Sequence, residues 1–341
     1  MKSIIHCFRY LLAIATLTSL CLVLVHPIPA SAELMTSVRS GSNLQFSFMY
    51  LLSDFSGVVP SQWARVDYDQ THDEIFTLNL ATHEIQVFNK EGMEIFAFGG
   101  DGEIATLNDI AVGDDGTIYG LSQKFKENAI HVFNYRGKLQ EVIPLQGFPE
   151  QLVYFRARRM QFQEDRFYLL DPQTMTIVIT SSNGQFERML DVGAKLQALQ
   201  KEKDPEAEEL LGLDIRNFNL DAKGNIYFTV PQLFAVFRLN TDGTLHSFGK
   251  SGSGPGKFGV ISGIAIDHRG IIYVSDRLRS VVMLFDKNFK FQGEFGYRGG
   301  LPEDLLVPDD IAIDQLAGRV FVSQAANKGV GVYRVYRRKK R

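Results

Sequence analysis

Past the first 32 residues, five histidines, a recurring set of aspartates, two glycine–lysine pairs and one arginine-dense run are the parts of this 341-residue chain whose types and spacing could do chemistry. The histidines are His72, His83, His131, His246 and His268. A metal centre needs several such ligands brought to one point, and nucleophilic catalysis needs a base beside its nucleophile. No His–Asp–Ser arrangement is visible. Asp69, Asp221, Asp267 and Asp314 recur at the ends of short apolar runs. A ring of carboxylates is the raw material of a calcium site, which takes about 6–8 oxygens. Each of the four, however, opens a polar turn, and side-chain bonding to the turn backbone accounts for an aspartate there. Gly249-Lys250-Ser251 and Gly256-Lys257 do not make phosphate loops: the glycine required five positions earlier is Thr244 in one and Ser251 in the other. No metal and no cofactor is expected.

The elements that would position these residues are read from an internal repeat. Ile264-Ala-Ile-Asp267, His268-Arg-Gly270 and Ile271-Ile-Tyr-Val274 form an apolar strand, a tight polar turn and a second apolar strand. The pattern recurs at Ile110, Phe218 and Ile311, and more weakly at Val66 and Met160, with successive spacings of 44, 50, 58, 46 and 47 residues. Each unit continues into a third strand, such as Ile85–Phe88 or Val281–Phe285, then a turn and a fourth strand. Three of the fourth strands end in Phe-Gly, at Phe98, Phe248 and Phe295. Four strands in roughly 40–50 residues make one blade of a propeller. The expected fold is therefore all-β, a six-bladed β-propeller of four-stranded blades. The last unit lacks its fourth strand, and the unpartnered run 44–52 is expected to supply it and close the ring, so that no edge is left open.

Gly254-Pro-Gly-Lys-Phe258, Gly263-Ile-Ala-Ile-Asp267, Gly270–Asp276, Val281–Asp286 and Phe295-Gly296 together resemble one NHL repeat. The fifth blade carries the resemblance best; the second, fourth and sixth carry it in part. It extends over about residues 63–336 and implies a six-bladed propeller of the exported bacterial type. As to function, it implies binding of proteins, RNA or sugars, with some lyases and lactonases on related scaffolds.

The chain bears the marks of export. Lys2 and Arg9 precede the apolar run Tyr10–Val25, and Ala30-Ser31-Ala32 offers a cleavage site, the three-part pattern of a secretory leader over residues 1–32. Leu20 before Cys21 argues against lipid attachment. Cleavage removes Lys2 and Arg9 and no acid, taking the formal net charge from −3 to −5. It also removes Cys7 and Cys21, the only cysteines, so the mature propeller domain 33–341 has no disulfide, thiol nucleophile or covalent haem site. No later segment is apolar and long enough to span a membrane. An acidic chain is not expected to bind nucleic acid. A periplasmic or secreted, monomeric ring is expected.

Two departures stand out. Residues 194–212 account for the longest spacing and are expected to be a solvated insertion between the third and fourth blades, a pair of short helices with Asp204 as cap and Pro205 in first helical position. The basic tail Arg337–Arg341 is expected to be solvated.

In a propeller, the residues just before each inner strand and those in the loops between second and third strands gather round one mouth of the central channel. By position these are Trp63, Arg65, Asp109, Arg156, Arg158, Arg159, Asp171, Arg216, Asp276, Arg277 and Asp310. A surface rich in arginine with one tryptophan suits recognition of a protein. The function expected is non-catalytic binding or scaffolding of a protein or extracellular polymer. The alternative is a metal-dependent lyase or lactonase using the channel; its ligands would converge from the starts of inner strands, where none of the five histidines lies.

Overall fold

The computed structural model describes residues 44–337 except 60–62, 101–103, 105, 125–126, 207, 209, 317 and 326–327. The expected leader, residues 1–32, and the basic tail after Arg337 lie outside the described residues. Six four-stranded antiparallel sheets form the blades of a propeller. The inner strands are Arg65–Asp69, Leu107–Val112, Arg159–Gln163, Asn217–Leu220, Ile261–Ile266 and Pro308–Ile313, in blades 1 to 6. They contain all six positions from which the repeat was counted.

The turns explain the repeating aspartates. In blade 5 the Asp267 carboxylate accepts the backbone N–H groups of Arg269 and Ile271, each at 2.9 Å, and Gly270 takes φ +78, a conformation that favours glycine. Asp69, Asp221 and Asp314 accept turn N–H groups in the same way.

Between the blades lie apolar layers. Tyr273, Phe295, Tyr333 and Val322 fill the seam between blades 5 and 6. Seams this tight leave no room for extra atoms: a Cβ on Gly263 would stand 2.5 Å from the Asp309 carbonyl oxygen. That close approach lets the inner strands of blades 5 and 6 pack against each other.

Ring closure is as the sequence implies. Leu44–Leu51 pairs antiparallel with Val330–Arg337 as the outer strand of blade 6, with one irregularity between Phe48 and Tyr50. Phe46 is buried, with its ring 5.2 Å from that of Phe295 in blade 5.

The insertion differs from expectation. One helix, Val192–Lys203, starts directly from the last strand of blade 3, capped by Asp191, whose carboxylate accepts the Ala194 N–H at 2.8 Å. Asp204 ends this helix instead of starting another, and its own N–H is bonded to the Gln200 carbonyl. The helix is no free arm: Leu196 is 2% exposed, in one apolar cluster with Ile177, Ile215 and Phe218. Burial of Val192 and Leu196 against blades 3 and 4 outweighs the polar character of the rest of the segment.

Candidate functional site

The inner strands enter the ring from the mouth side, so their first residues face one another across the axis. Arg159, at the start of the blade 3 inner strand, is 4% exposed. Its guanidinium lies 2.8 Å from Asp310 Oδ1 and 3.4 Å from Asp109 Oδ1. The second oxygen of Asp109 accepts the Met160 N–H at 2.8 Å. Asp310 also accepts Asn217 Nδ2 at 2.7 Å and the Val66 N–H at 3.4 Å. Neighbouring Asp309 accepts the Ser262 hydroxyl and, at 3.0 Å, a guanidinium N–H of Arg216. Residues of all six blades thus bond into one buried layer across the channel.

The charges of this layer support one another. Burial works against the Arg159 charge, but Asp109 and Asp310 hold its pKa above the ordinary arginine value. Burial pushes the Asp109 carboxyl up, opposed by Arg159 and Arg65. For Asp309 burial is outweighed by Arg216, the Ser262 hydroxyl and Arg65, so its carboxyl is held below the usual range.

On the mouth side of this layer stand more arginines. Arg65 reaches to 3.8 Å from both Asp109 and Asp309. Exposed Arg158 donates to Asn108 Oδ1 at 3.2 Å. The Arg277 guanidinium stacks 4.3 Å from the ring centre of Trp63, the only tryptophan. A cavity of about 320 Å3 opens here, lined by Arg65, His83, Asn108, Arg158, Arg159, Asp214 and Arg216 among others.

The far side of the layer is different. A cavity of about 210 Å3 is lined by Asp67, Gln161, Asn219 and the apolar ends of the inner strands. The Asp67 carboxylate accepts the Val112 and Tyr68 N–H groups, both at 2.8 Å. Burial nevertheless pushes its pKa up to about 7, with Asp109 and Asp310 adding to the rise. Beyond it an open depression of about 780 Å3 carries Asp114, Asp115, Glu164 and Asp165. The axial layer thus separates a mouth where arginines pair with aspartates from one lined by Asp114, Asp115, Glu164 and Asp165.

Of the residues expected at the mouth, Trp63, Arg65, Asp109, Arg158, Arg159, Arg216, Arg277 and Asp310 meet there. Asp171 and Asp276 belong to the blade frame. Asp171 accepts the N–H groups of Arg156, Gln173 and Thr174, and Asp276 those of Gly259, Val260, Leu278 and Arg279. Arg156 turns its guanidinium onto the carbonyls of Val153 and Phe155. Sequence reasoning missed Asp309, Asn108, Asn217, Ser262 and His83. Asp309 had a signal, the Asp-Asp pair at the start of the sixth inner strand; His83 lies in a second-to-third-strand turn, with Nδ1 3.1 Å from the Leu107 carbonyl.

A further depression of about 930 Å3, off the axis, has an apolar rim of Phe234, Val260, Leu278 and Tyr297. At its floor Arg279 grips both oxygens of Glu294 at 2.9 Å.

No protein-family model matches the chain. No curated protein matches it either. Among solved structures it is similar to a Bacteroides thetaiotaomicron protein of unknown function, at TM-score 0.62 and 11% identity over 86% of this chain and 76% of that one. It is also similar to a streptogramin B lyase, at TM-score 0.55 and 11% identity over 86% and 98% of the two chains. A gluconolactonase from Xanthomonas campestris aligns at TM-score 0.57 and 12% identity over 86% and 90%. At such identities the likeness shows the fold alone: the chain is a six-bladed β-propeller whose structural neighbours include lactonases and lyases.

Proposed function

We propose that this protein is an exported, non-catalytic recognition propeller that holds a protein or extracellular polymer at its arginine-lined mouth. The observation that carries this reading is the axial layer. Arg159 is buried on the axis with its charge satisfied by Asp109 and Asp310, and Arg65, Arg158 and Arg216 line a cavity at the mouth above it. Arginine and tryptophan are the side chains that most often dominate binding at such surfaces. The resemblance of blade 5 to an NHL repeat agrees with a binding role, and the leader pattern in residues 1–32 supports export to the periplasm or beyond.

The second reading, a metal-dependent lyase or lactonase, draws on the named activities of two structural neighbours. The residues here do not fit a cation on the axis. The two carboxylates best placed for one, Asp109 and Asp310, already face a guanidinium, and a metal ion beside Arg159 would meet its charge at close range. No group of three or more potential ligands is disposed to hold a metal among the described residues.

The test is affinity capture of the tagged mature chain from its own envelope and secreted fractions after mild cross-linking, with metal content measured on the same sample. A reproducible partner, reduced by Arg158→Glu, is the expected result. One tightly held metal per chain and no partner would sink the recognition reading and favour the enzyme.

A further inference from the structure

The off-axis depression of about 930 Å3 lies between the second-to-third-strand turns of blades 4 and 5, which bring Phe234 and Leu278 to its rim. The linker into blade 5 forms one wall with Ser251, Gly252, Ser253 and Gly259, residues too small to fill the space. Buried Phe258 and Val281 line it beside the Arg279–Glu294 pair. Phe234, Val260, Tyr297 and Leu278, all of them lining residues, remain 37% to 69% exposed. Exposed apolar side chains gathered round one hollow and bordered by polar groups mark an interaction surface.

The exposed charges at its border have one sign. Lys250, Lys257 and Arg298 are exposed and form no ion pair among the described residues. Lys250 adjoins Ser251, Arg298 adjoins Tyr297, and a Cβ on Gly252 would stand 2.6 Å from Lys257 Cδ, so each borders a lining residue. The one lining acid, Glu294, is buried against Arg279. Stretches 249–260 and 277–281 contain no acid, and the two in 296–307, Glu303 and Asp304, are buried. A chain of formal net charge −3 thus exposes only cations on these stretches. Charge complementarity calls for an acidic partner, and the concave shape for a side chain that enters it. A bilayer surface, flat at this scale, would leave the hollow unfilled. We infer that the hollow docks a partner polypeptide through one inserted apolar residue, leucine or phenylalanine, whose acidic neighbours meet Lys250, Lys257 and Arg298. The site is separate from the axial cavity, with which it shares no lining residue, and does not depend on the reading given to that cavity.

The experiment selects a random peptide library displayed on phage against the immobilised mature protein, then measures the enriched peptides by fluorescence anisotropy. The expected result is a shared pattern, one leucine or phenylalanine flanked by aspartate or glutamate. Binding is expected to weaken at least about tenfold in Leu278→Asp and in the double variant Lys250→Glu, Lys257→Glu. All three positions are exposed, so these variants are expected to keep the wild-type melting temperature. Leu316→Asp places the same charge on an exposed turn of blade 6, remote from the hollow, and is expected to leave binding unchanged. Equal losses in Leu278→Asp and Leu316→Asp would reduce the effect to net charge and overturn the inference. Failure to enrich any peptide, or enrichment of peptides without acids, would overturn it as well. Sedimentation with phosphatidylglycerol vesicles, abolished by Leu278→Asp while no peptide is enriched, would assign the surface to a membrane instead. Peptide binding lost in Arg158→Glu but kept in Leu278→Asp would move the peptide to the axial mouth, overturning this site and leaving the recognition reading intact.

Discussion

Arg159 is the residue on which the axis depends. Its guanidinium bonds both Asp109 and Asp310, and taking it away leaves two carboxylates buried near each other. Breaking such a pair typically costs about 3–5 kcal/mol. Arg159→Leu is expected to lower unfolding stability by about 3 kcal/mol in urea titration, with part of the loss recovered in mild acid, where the stranded carboxyls protonate. Asp67 makes a complementary prediction. Its native pKa, near 7, lies above the unfolded carboxylate value of about 4. The stability it contributes is therefore full below about pH 4 and is lost as pH rises through about 7. The unfolding free energy of the wild type is expected to fall with a slope approaching about 1.4 kcal/mol per pH unit between about pH 5 and 6, relative to Asp67→Asn. Parallel profiles for the two proteins would show that Asp67 titrates normally.

At the scale of elements, the helix Val192–Lys203 shows how packing overrules composition. Its exposed side is charged, yet Val192 and Leu196 lock it onto the seam between blades 3 and 4. Leu196→Ala is expected to cost about 2–5 kcal/mol of stability. A cost under about 0.5 kcal/mol, the usual limit for surface positions, would mean that the helix is detachable after all. The segment that carries the arginine run is shaped by similar means: Phe155 and Ala157 are buried, and Asp171 holds the Arg156 N–H at 2.8 Å. These anchors set Arg158 and Arg159 on adjacent levels, one exposed and one sealed, because successive strand residues point to opposite sides.

The described residues form a ring whose first and last strands, Leu44–Leu51 and Val330–Arg337, meet in one sheet. Leu44, Phe46 and Leu52 are buried by that closure, and the strand Val330–Arg337 would lose its only outer neighbour without it. Deleting residues 33–52 is expected to lower the melting temperature by more than about 10 °C and to promote aggregation through the exposed edge. A truncated chain that melts like the intact one and stays monodisperse in light scattering would show that closure contributes little. The two mouths differ: at one, arginines pair with Asp109 and Asp309; at the other stand Asp114, Asp115, Glu164 and Asp165.

The strands, their order, the six-fold count and the closing strand were legible in the amino-acid sequence, because each depends on local rules: apolar alternation, aspartate–glycine turns and a repeat near 47 residues. Most of the mouth was legible too, since position within a blade decides which residues stand at the axis. What only the tertiary structure decided is which of those residues line the mouth and which belong to the blade frame. Asp171 and Asp276 read like mouth residues but spend their oxygens on backbone N–H groups. Asp309, Ser262 and Asn217 matter only because distant blades bring them within bonding distance of the axial charges. Asp67 has an ordinary aspartate's sequence context, and its raised pKa comes from burial in a channel that exists only once the six blades have closed.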